Sequence, residues 1–186
     1  MVKESASTNT DRIYLTGFMG SGMIRVGRIL PRHYGRPFVD LEDSVVKEAR
    51  MTIPEIFRLR GEAAFKRLEA RIMHRFKRGK WIAALCGGAL VDPATRDLLT
   101  AAGTVVYLRA ELGTLAARLK GQRAGCPLLA GDEPLERRIT SLLDTRNAVY
   151  SCARWVQDTD DLSPEQVADS IYERAKASPD EHDHNS

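Results

Sequence analysis

Short apolar runs alternate along the chain with longer segments of helical periodicity. Runs rich in β-branched and aromatic residues predict five strands, at 13–15, 37–40, 81–85, 104–108 and 155–157. Between them, apolar residues recur at helical spacing and predict buried helix faces, the clearest set being Ile56, Phe57, Phe65, Leu68 and Ile72. Strands that alternate with helices favour a mostly parallel sheet covered by helices on both faces.

Capping signals mark where several helices begin. Thr52 and Ser163 each stand three residues before a Glu or Gln and form capping boxes, and Asp92 before a proline is a typical N-cap. A helix opening at Met23 should run to residue 34, with Pro31 close to its end. Two further helices are predicted at 112–119 and 135–150. We expect one domain over 12–177, with disordered ends at 1–11 and 178–186.

Composition excludes several classes of protein. The 186 residues carry 28 Lys and Arg against 25 Asp and Glu, a net charge of +3, which is too mild to indicate binding to nucleic acid or an anionic membrane. The chain has no apolar run long enough to span a bilayer. Three cysteines without paired spacing fit a reducing compartment. We therefore expect a monomeric cytoplasmic protein.

The segment 12–27 has the frame of a phosphate loop without its charged residues. Gly17 and Gly22 stand at the spacing of a G-x-x-x-x-G-K-[ST] loop, between a predicted strand and a predicted helix. The backbone N–H groups of such a loop cradle phosphate oxygens. The next residues should be Lys, for the terminal phosphates, and Ser or Thr, for magnesium. They are Met23 and Ile24, whose side chains can neither neutralise a phosphate nor ligate a hard cation.

Other candidate site residues follow predicted strands. The second strand is expected to be short and buried. Asp40 and Glu42 come at its carboxyl end, where ligands bind in open parallel sheets. Gly87 and Gly88 form a turn after the third strand, where backbone can approach a ligand closely. Residues 121–134 are rich in Gly, Pro and Ala, a composition typical of a mobile lid.

These motifs, in this order, resemble those of the shikimate kinase family. The segments that carry the resemblance are 15–22, 38–40, 53–57, 61–65, 87–89, 105–108, 127–129 and Arg146 with Tyr150. The resemblance covers roughly residues 13–175. It implies a three-layer P-loop kinase fold, with a five-stranded parallel sheet flanked by helices and a lid. It also implies transfer of the ATP γ-phosphoryl group to the 3-hydroxyl of shikimate, with magnesium.

The resemblance assigns roles to particular residues. Those implied to contact nucleotide are Gly17, Gly20, Ser21, Gly22 and Arg118, the last packing on adenine. Those implied to contact shikimate are Glu42, Lys66, Gly87, Gly88 and Arg146, the last pairing with the carboxylate. Asp40 matches a carboxylate near magnesium and the substrate hydroxyl. The alternatives are a strand-end cap for Asp40 and a plain surface position for the arginines.

Six positions depart from the family pattern. Besides Met23 and Ile24, they are Glu42 in place of Asp, Lys66 in place of Arg, Cys86 in place of Gly, and Cys126 in place of the lid Arg. An ammonium cannot reproduce the bidentate fork of a guanidinium. Cys126 removes the cation expected to close on the γ-phosphate.

Three hypotheses follow. The first is a protein of this fold whose phosphotransfer site is inactive and which retains weak binding of nucleotide or shikimate. The second is an active shikimate kinase that uses ATP and magnesium, with Arg25 and Arg123 as compensating cations, although a helix turns by about 100° per residue and so carries Arg25 away from position 23. The third is a non-catalytic protein that senses shikimate or docks a partner.

Overall fold

A computed structural model describes residues 10–76, 79–85, 88–123 and 126–177. The segments 1–9 and 178–186, which belong to the ends predicted to be disordered, lie outside this part of the chain. The strands are β1 (Arg12–Gly17), β2 (Phe38–Asp40), β3 (Trp81–Ala84), β4 (Thr104–Arg109) and β5 (Trp155–Asp158). The helices are α1 (Met23–Ile29), α2 (Pro31–Tyr34), α3 (Leu41–Ala49), α4 (Ile53–Arg75), α5 (Pro93–Ala102), α6 (Leu112–Leu119), α7 (Leu135–Tyr150) and α8 (Pro164–Lys176). Short 3-10 turns span Ala89–Val91 and Pro127–Leu129.

The five strands form one parallel sheet in the order β2-β3-β1-β4-β5. Alternate residues of the central strand β1 enter opposite faces of the sheet. Tyr14 lies in the core cluster formed with α3, α4 and α5, whereas Ile13 and Leu15 lie in the cluster formed with α1 and α8. A strand buried on both faces must be apolar throughout, which is why the run in β1 does not alternate with polar residues.

A third apolar cluster joins the phosphate loop to the lid and to α6 and α7. Phe18 of the loop and Leu129 of the lid are buried in it, together with Leu115 and Ile139. The lid therefore rests on the loop that precedes α1. This contact groups the loop, the lid and α7 beyond the carboxyl end of the central strand β1.

Helix boundaries agree closely with the capping signals. Thr52 and Ser163 form the predicted capping boxes, and Asp92 accepts a hydrogen bond from the N–H of Thr95. The predicted bounds of α6 and α7 are confirmed. Because each cap satisfies N–H groups that have no partner within the helix, a short polar signal fixes where the helix begins.

Three local features differ from the sequence predictions. The helix predicted to run to residue 34 is divided, since Pro31 has no N–H to continue it and begins α2 instead. β2 was predicted to be buried but is half-buried, because it lies at the edge of the sheet. In α4, Gly61 has φ of 75° and ψ of 168°, which kinks the helix. Phe57, Phe65 and Leu68 of its predicted buried face are only partly buried.

In the part of the chain that the structure describes, no helix is both long enough and apolar enough to cross a membrane.

Candidate functional site

The phosphate loop is a tight turn between β1 and α1. A Cβ atom at Gly17 would lie 2.5 Å from the Ser21 Oγ and 2.8 Å from the carbonyl oxygen of Leu108, so no side chain fits there. Gly20 and Gly22 have φ values of 85° and 96°, in the left-handed region that favours glycine. Gly22 is the N-cap of α1. The loop thus has the compact backbone expected of an anion cradle.

The residues that follow the loop supply no charge. Met23 and Ile24 are the first residues of α1 and are partly buried. Met23 packs against the cluster formed by α1 and α8. Arg25, one residue further on, is exposed. The cradle therefore combines a phosphate-type backbone with an apolar helix start.

Arg118 fastens the loop to the neighbouring strand ends. Its Nη1 donates to the carbonyl oxygen of Gly20 at 3.1 Å, and its Nη2 donates to that of Thr159 at 3.0 Å. Thr159 is buried and in turn binds the Arg109 carbonyl oxygen through its N–H, at 2.9 Å, and its hydroxyl, at 3.1 Å. Sequence reasoning missed Thr159, because no motif marks a residue after the last strand.

The two carboxylates after β2 face different surroundings. Asp40 is the N-cap of α3, and its Oδ1 accepts a hydrogen bond from the N–H of Asp43 at 3.2 Å. The pKa of Glu42 is raised, first because neighbouring protein atoms reduce the hydration of its carboxyl and then because Asp40 is close, while the Arg146 guanidinium opposes both. Glu42 as a whole is exposed. Glu42 therefore lies at the protein surface and not in the core.

Arg146 is a buried cation on α7. It is 9% exposed, its Cζ lies 5.6 Å from the centroid of the Phe18 ring, and its Nη1 has no hydrogen-bond partner among the described residues. The guanidinium thus contacts the phosphate loop through Phe18 and is close enough to Glu42 for its charge to lower the pKa of that carboxyl. A buried donor without a partner fits a carboxylate ligand.

Lys66 lies at a cavity between α4 and the glycine turn. Its Nζ is 3.0 Å from the Oε1 of Glu62, an ion pair within α4. The cavity of about 340 Å³ is lined by Lys66, Arg67, Glu69, Ala70, Gly88, Ala89, Val91, Asp92 and Thr95. Gly88 is the N-cap of the turn Ala89–Val91. Gly87 and Cys86 lie outside the described residues.

The lid contacts the phosphate loop through Cys126, while Arg123 binds the backbone of the lid. The Sγ of Cys126 lies 3.6 Å from the Sδ of Met19 in the phosphate loop, so the position implied for the lid arginine makes an apolar contact. The Nη2 of Arg123 donates to the carbonyl oxygens of Gly131 and Glu133, the latter at 2.7 Å. Arg123 thus braces the lid itself.

The loop lacks the hydroxyl that would ligate a magnesium ion. Among the described residues, no three His, Cys, Asp or Glu side chains lie together as metal ligands would. Magnesium requires oxygen ligands, and Ile24 offers none at the position where the loop hydroxyl is expected. Of the two neighbouring carboxylates, Asp40 and Glu42, that of Asp40 already caps α3.

The sheet order, the glycine loop before α1 and the lid define a P-loop kinase fold. The chain matches the shikimate kinase family over residues 19–176. It is 38% identical to the shikimate kinase of Chlorobium chlorochromatii over 156 residues, covering 80% of this chain and 82% of that protein. It is 39% identical to that of Symbiobacterium thermophilum over 165 residues, covering 87% and 94% respectively.

Solved structures of shikimate kinases also superpose on this chain. The shikimate kinase of Acinetobacter baumannii, in complex with shikimate, superposes with a TM-score of 0.84 at 29% identity, covering 91% of this chain and 95% of that one. The shikimate kinase of Aquifex aeolicus superposes with a TM-score of 0.75 at 28% identity, covering 89% and 96%. The chain belongs to the shikimate kinase family.

Proposed function

We propose that this chain is a shikimate kinase family member that has lost phosphoryl transfer and keeps the half of the site that binds the substrate carboxylate. The observation that carries the proposal is the start of α1, where Met23 and Ile24 stand at the positions of the loop cation and the magnesium hydroxyl. The apolar contact of Cys126 with Met19 supports it, because the lid then brings no cation to the loop.

The size of the expected loss supports inactivity. Phosphoryl transfer depends almost entirely on positioning and on stabilisation of charge. Removing one preorganised donor costs about 10² to 10³ in rate, and removing an arginine that acts on the phosphoryl group costs about 10³ to 10⁵. Such losses are not additive. Together they still leave little rate above background.

Compensation by other cations has little support. Arg123 is held by two carbonyl oxygens of the lid. Arg25 is exposed and lies two positions beyond Met23 on α1. The lid carbonyls therefore hold the Arg123 guanidinium, and the turn of about 100° per residue carries Arg25 to another side of α1 from Met23. An active kinase that uses ATP and magnesium is the alternative outcome of the experiments below.

Retention of carboxylate binding rests on Arg146. Its buried Nη1 has no hydrogen-bond partner among the described residues, and its guanidinium contacts Phe18 of the loop and acts electrostatically on Glu42. We propose that shikimate binds there without nucleotide, as the third hypothesis requires. Shikimate at millimolar concentration should therefore raise the melting temperature in the absence of ATP, and an unchanged melting temperature would contradict this half of the proposal.

Restoring the two cations and the hydroxyl tests the proposed loss of phosphoryl transfer. The triple variant Met23→Lys, Ile24→Ser and Cys126→Arg should gain shikimate-dependent release of ADP from magnesium-ATP. A matched triple, Met23→Gln, Ile24→Val and Cys126→Ser, alters the same positions without restoring the two cations and the hydroxyl, and should stay at the blank rate. Equal rates in both triples would show that these three positions do not account for the loss.

A further inference from the structure

Two neighbouring polar groups on α7 are buried without hydrogen-bond partners. Arg146 and Tyr150 are four residues apart, so they lie on the same face of the helix. They are 9% and 2% exposed. Among the described residues, neither the Arg146 Nη1 nor the Tyr150 hydroxyl has a hydrogen-bond partner. Because buried polar groups are nearly always paired, two such atoms on one helix face need an explanation.

The two groups are close enough to influence each other. Burial raises the pKa of Tyr150 to about 12, while the Arg146 guanidinium lowers it by its charge and by a side-chain contact that falls short of a well-formed hydrogen bond. The Tyr150 ring is fixed by stacking on Tyr107, with centroids 4.3 Å apart and planes inclined by 15°. The Arg146 guanidinium lies against the Phe18 ring. The guanidinium therefore lies beside the fixed hydroxyl without a well-formed hydrogen bond to it.

We propose that Tyr150 is a positioning residue for Arg146: when a carboxylate binds to the guanidinium, Nη1 turns to donate to the Tyr150 hydroxyl oxygen. The remaining N–H groups are then directed at the ligand. Ligand binding thus also pairs the Arg146 Nη1 with the Tyr150 hydroxyl oxygen. The hydrogen bond gained in this way stabilises the ligand-bound arrangement. The inference rests on the carboxylate-binding half of the proposed function and does not depend on nucleotide or turnover.

The variant Tyr150→Phe separates a positioning role from a structural one. It removes only the hydroxyl and keeps the ring that stacks on Tyr107. Shikimate binding, measured by calorimetry without nucleotide, should weaken about tenfold, the effect of losing a hydrogen bond to a charged group. The melting temperature of the ligand-free protein should stay the same or rise, because the hydroxyl that is removed is buried and has no partner among the described residues.

Tyr14→Phe is the matched control. The Tyr14 hydroxyl is also buried without a partner among the described residues, but its ring lies beside Gly103 at the amino end of the sheet. This variant should bind shikimate like the parent. An unchanged affinity in Tyr150→Phe, with or without a lower melting temperature, would overturn the inference alone. Absence of shikimate binding in the parent would overturn it together with the carboxylate-binding half of the proposed function, leaving the loss of phosphoryl transfer to be judged separately.

Discussion

The substitution Met23→Lys should strengthen ATP binding even without magnesium. Position 23 is the first residue of α1, directly after the left-handed Gly22, so a lysine there extends from the cradle. A charge pair at 4 Å with an effective dielectric constant of 20 interacts by about 4 kcal/mol. Met23 is only partly buried, and screening by solvent reduces this value to the range of about 1.5–3 kcal/mol for hydrogen bonds to charged groups.

That free energy corresponds to ATP binding that is roughly 10- to 100-fold tighter. The lysine stem can cover the apolar surface that Met23 now contacts, so the fold should tolerate the change. Calorimetric titration of ATP in the presence of a chelator measures the affinity. Leu59→Lys adds the same charge at a residue of α4 that is 58% exposed and serves as the control. If Met23→Lys binds ATP no tighter than Leu59→Lys, the loop does not act as an anion cradle.

Two predictions concern the fold itself. Gly27→Ala should lower the free energy of unfolding by roughly 1–3 kcal/mol, because the added Cβ would lie 2.2 Å from the Phe38 ring. Gly113→Ala is the control: its added Cβ would have no neighbouring atom within 4 Å, so this variant should be neutral or stabilising. Urea unfolding compares them, and equal stabilities would contradict the close packing of α1 on β2. Burial raises the pKa of Tyr34 from 10.0 to about 12, so its contribution to stability is present below pH 10 and is lost as the pH rises to about 12. Tyr34→Phe should lose less stability than the parent over that range, and identical losses would show that the Tyr34 hydroxyl does not titrate as described.

Local signals predicted the helix boundaries because a cap is a local interaction. The capping residues Thr52, Asp92 and Ser163 act within one turn of their helices, and their effect does not depend on the rest of the fold. The kink at Gly61 and the half-buried edge strand β2 depend on packing and on strand order. Neither property can be derived from hydrophobic periodicity alone.

In the candidate site too, local features could be predicted from the sequence, whereas contacts between distant residues could not. The glycine loop could be predicted, since its spacing reflects a backbone conformation that glycine favours. The link from Arg118 through Thr159 to Arg109 could not, because it joins residues far apart in sequence. The part taken by Arg123 in bracing the lid likewise depends on the path of the backbone at Gly131 and Glu133. The roles assigned to the ligand-facing residues remain predictions.

The most direct test of the proposed loss of phosphoryl transfer is shikimate-dependent release of ADP from magnesium-ATP by the unaltered chain. The assay uses a high protein concentration and a blank without shikimate. We predict a rate equal to the blank, because Met23, Ile24 and Cys126 supply neither the cations nor the hydroxyl that the reaction requires. Turnover of about 1 s⁻¹ or more, within the usual range of enzymes, would contradict the proposal.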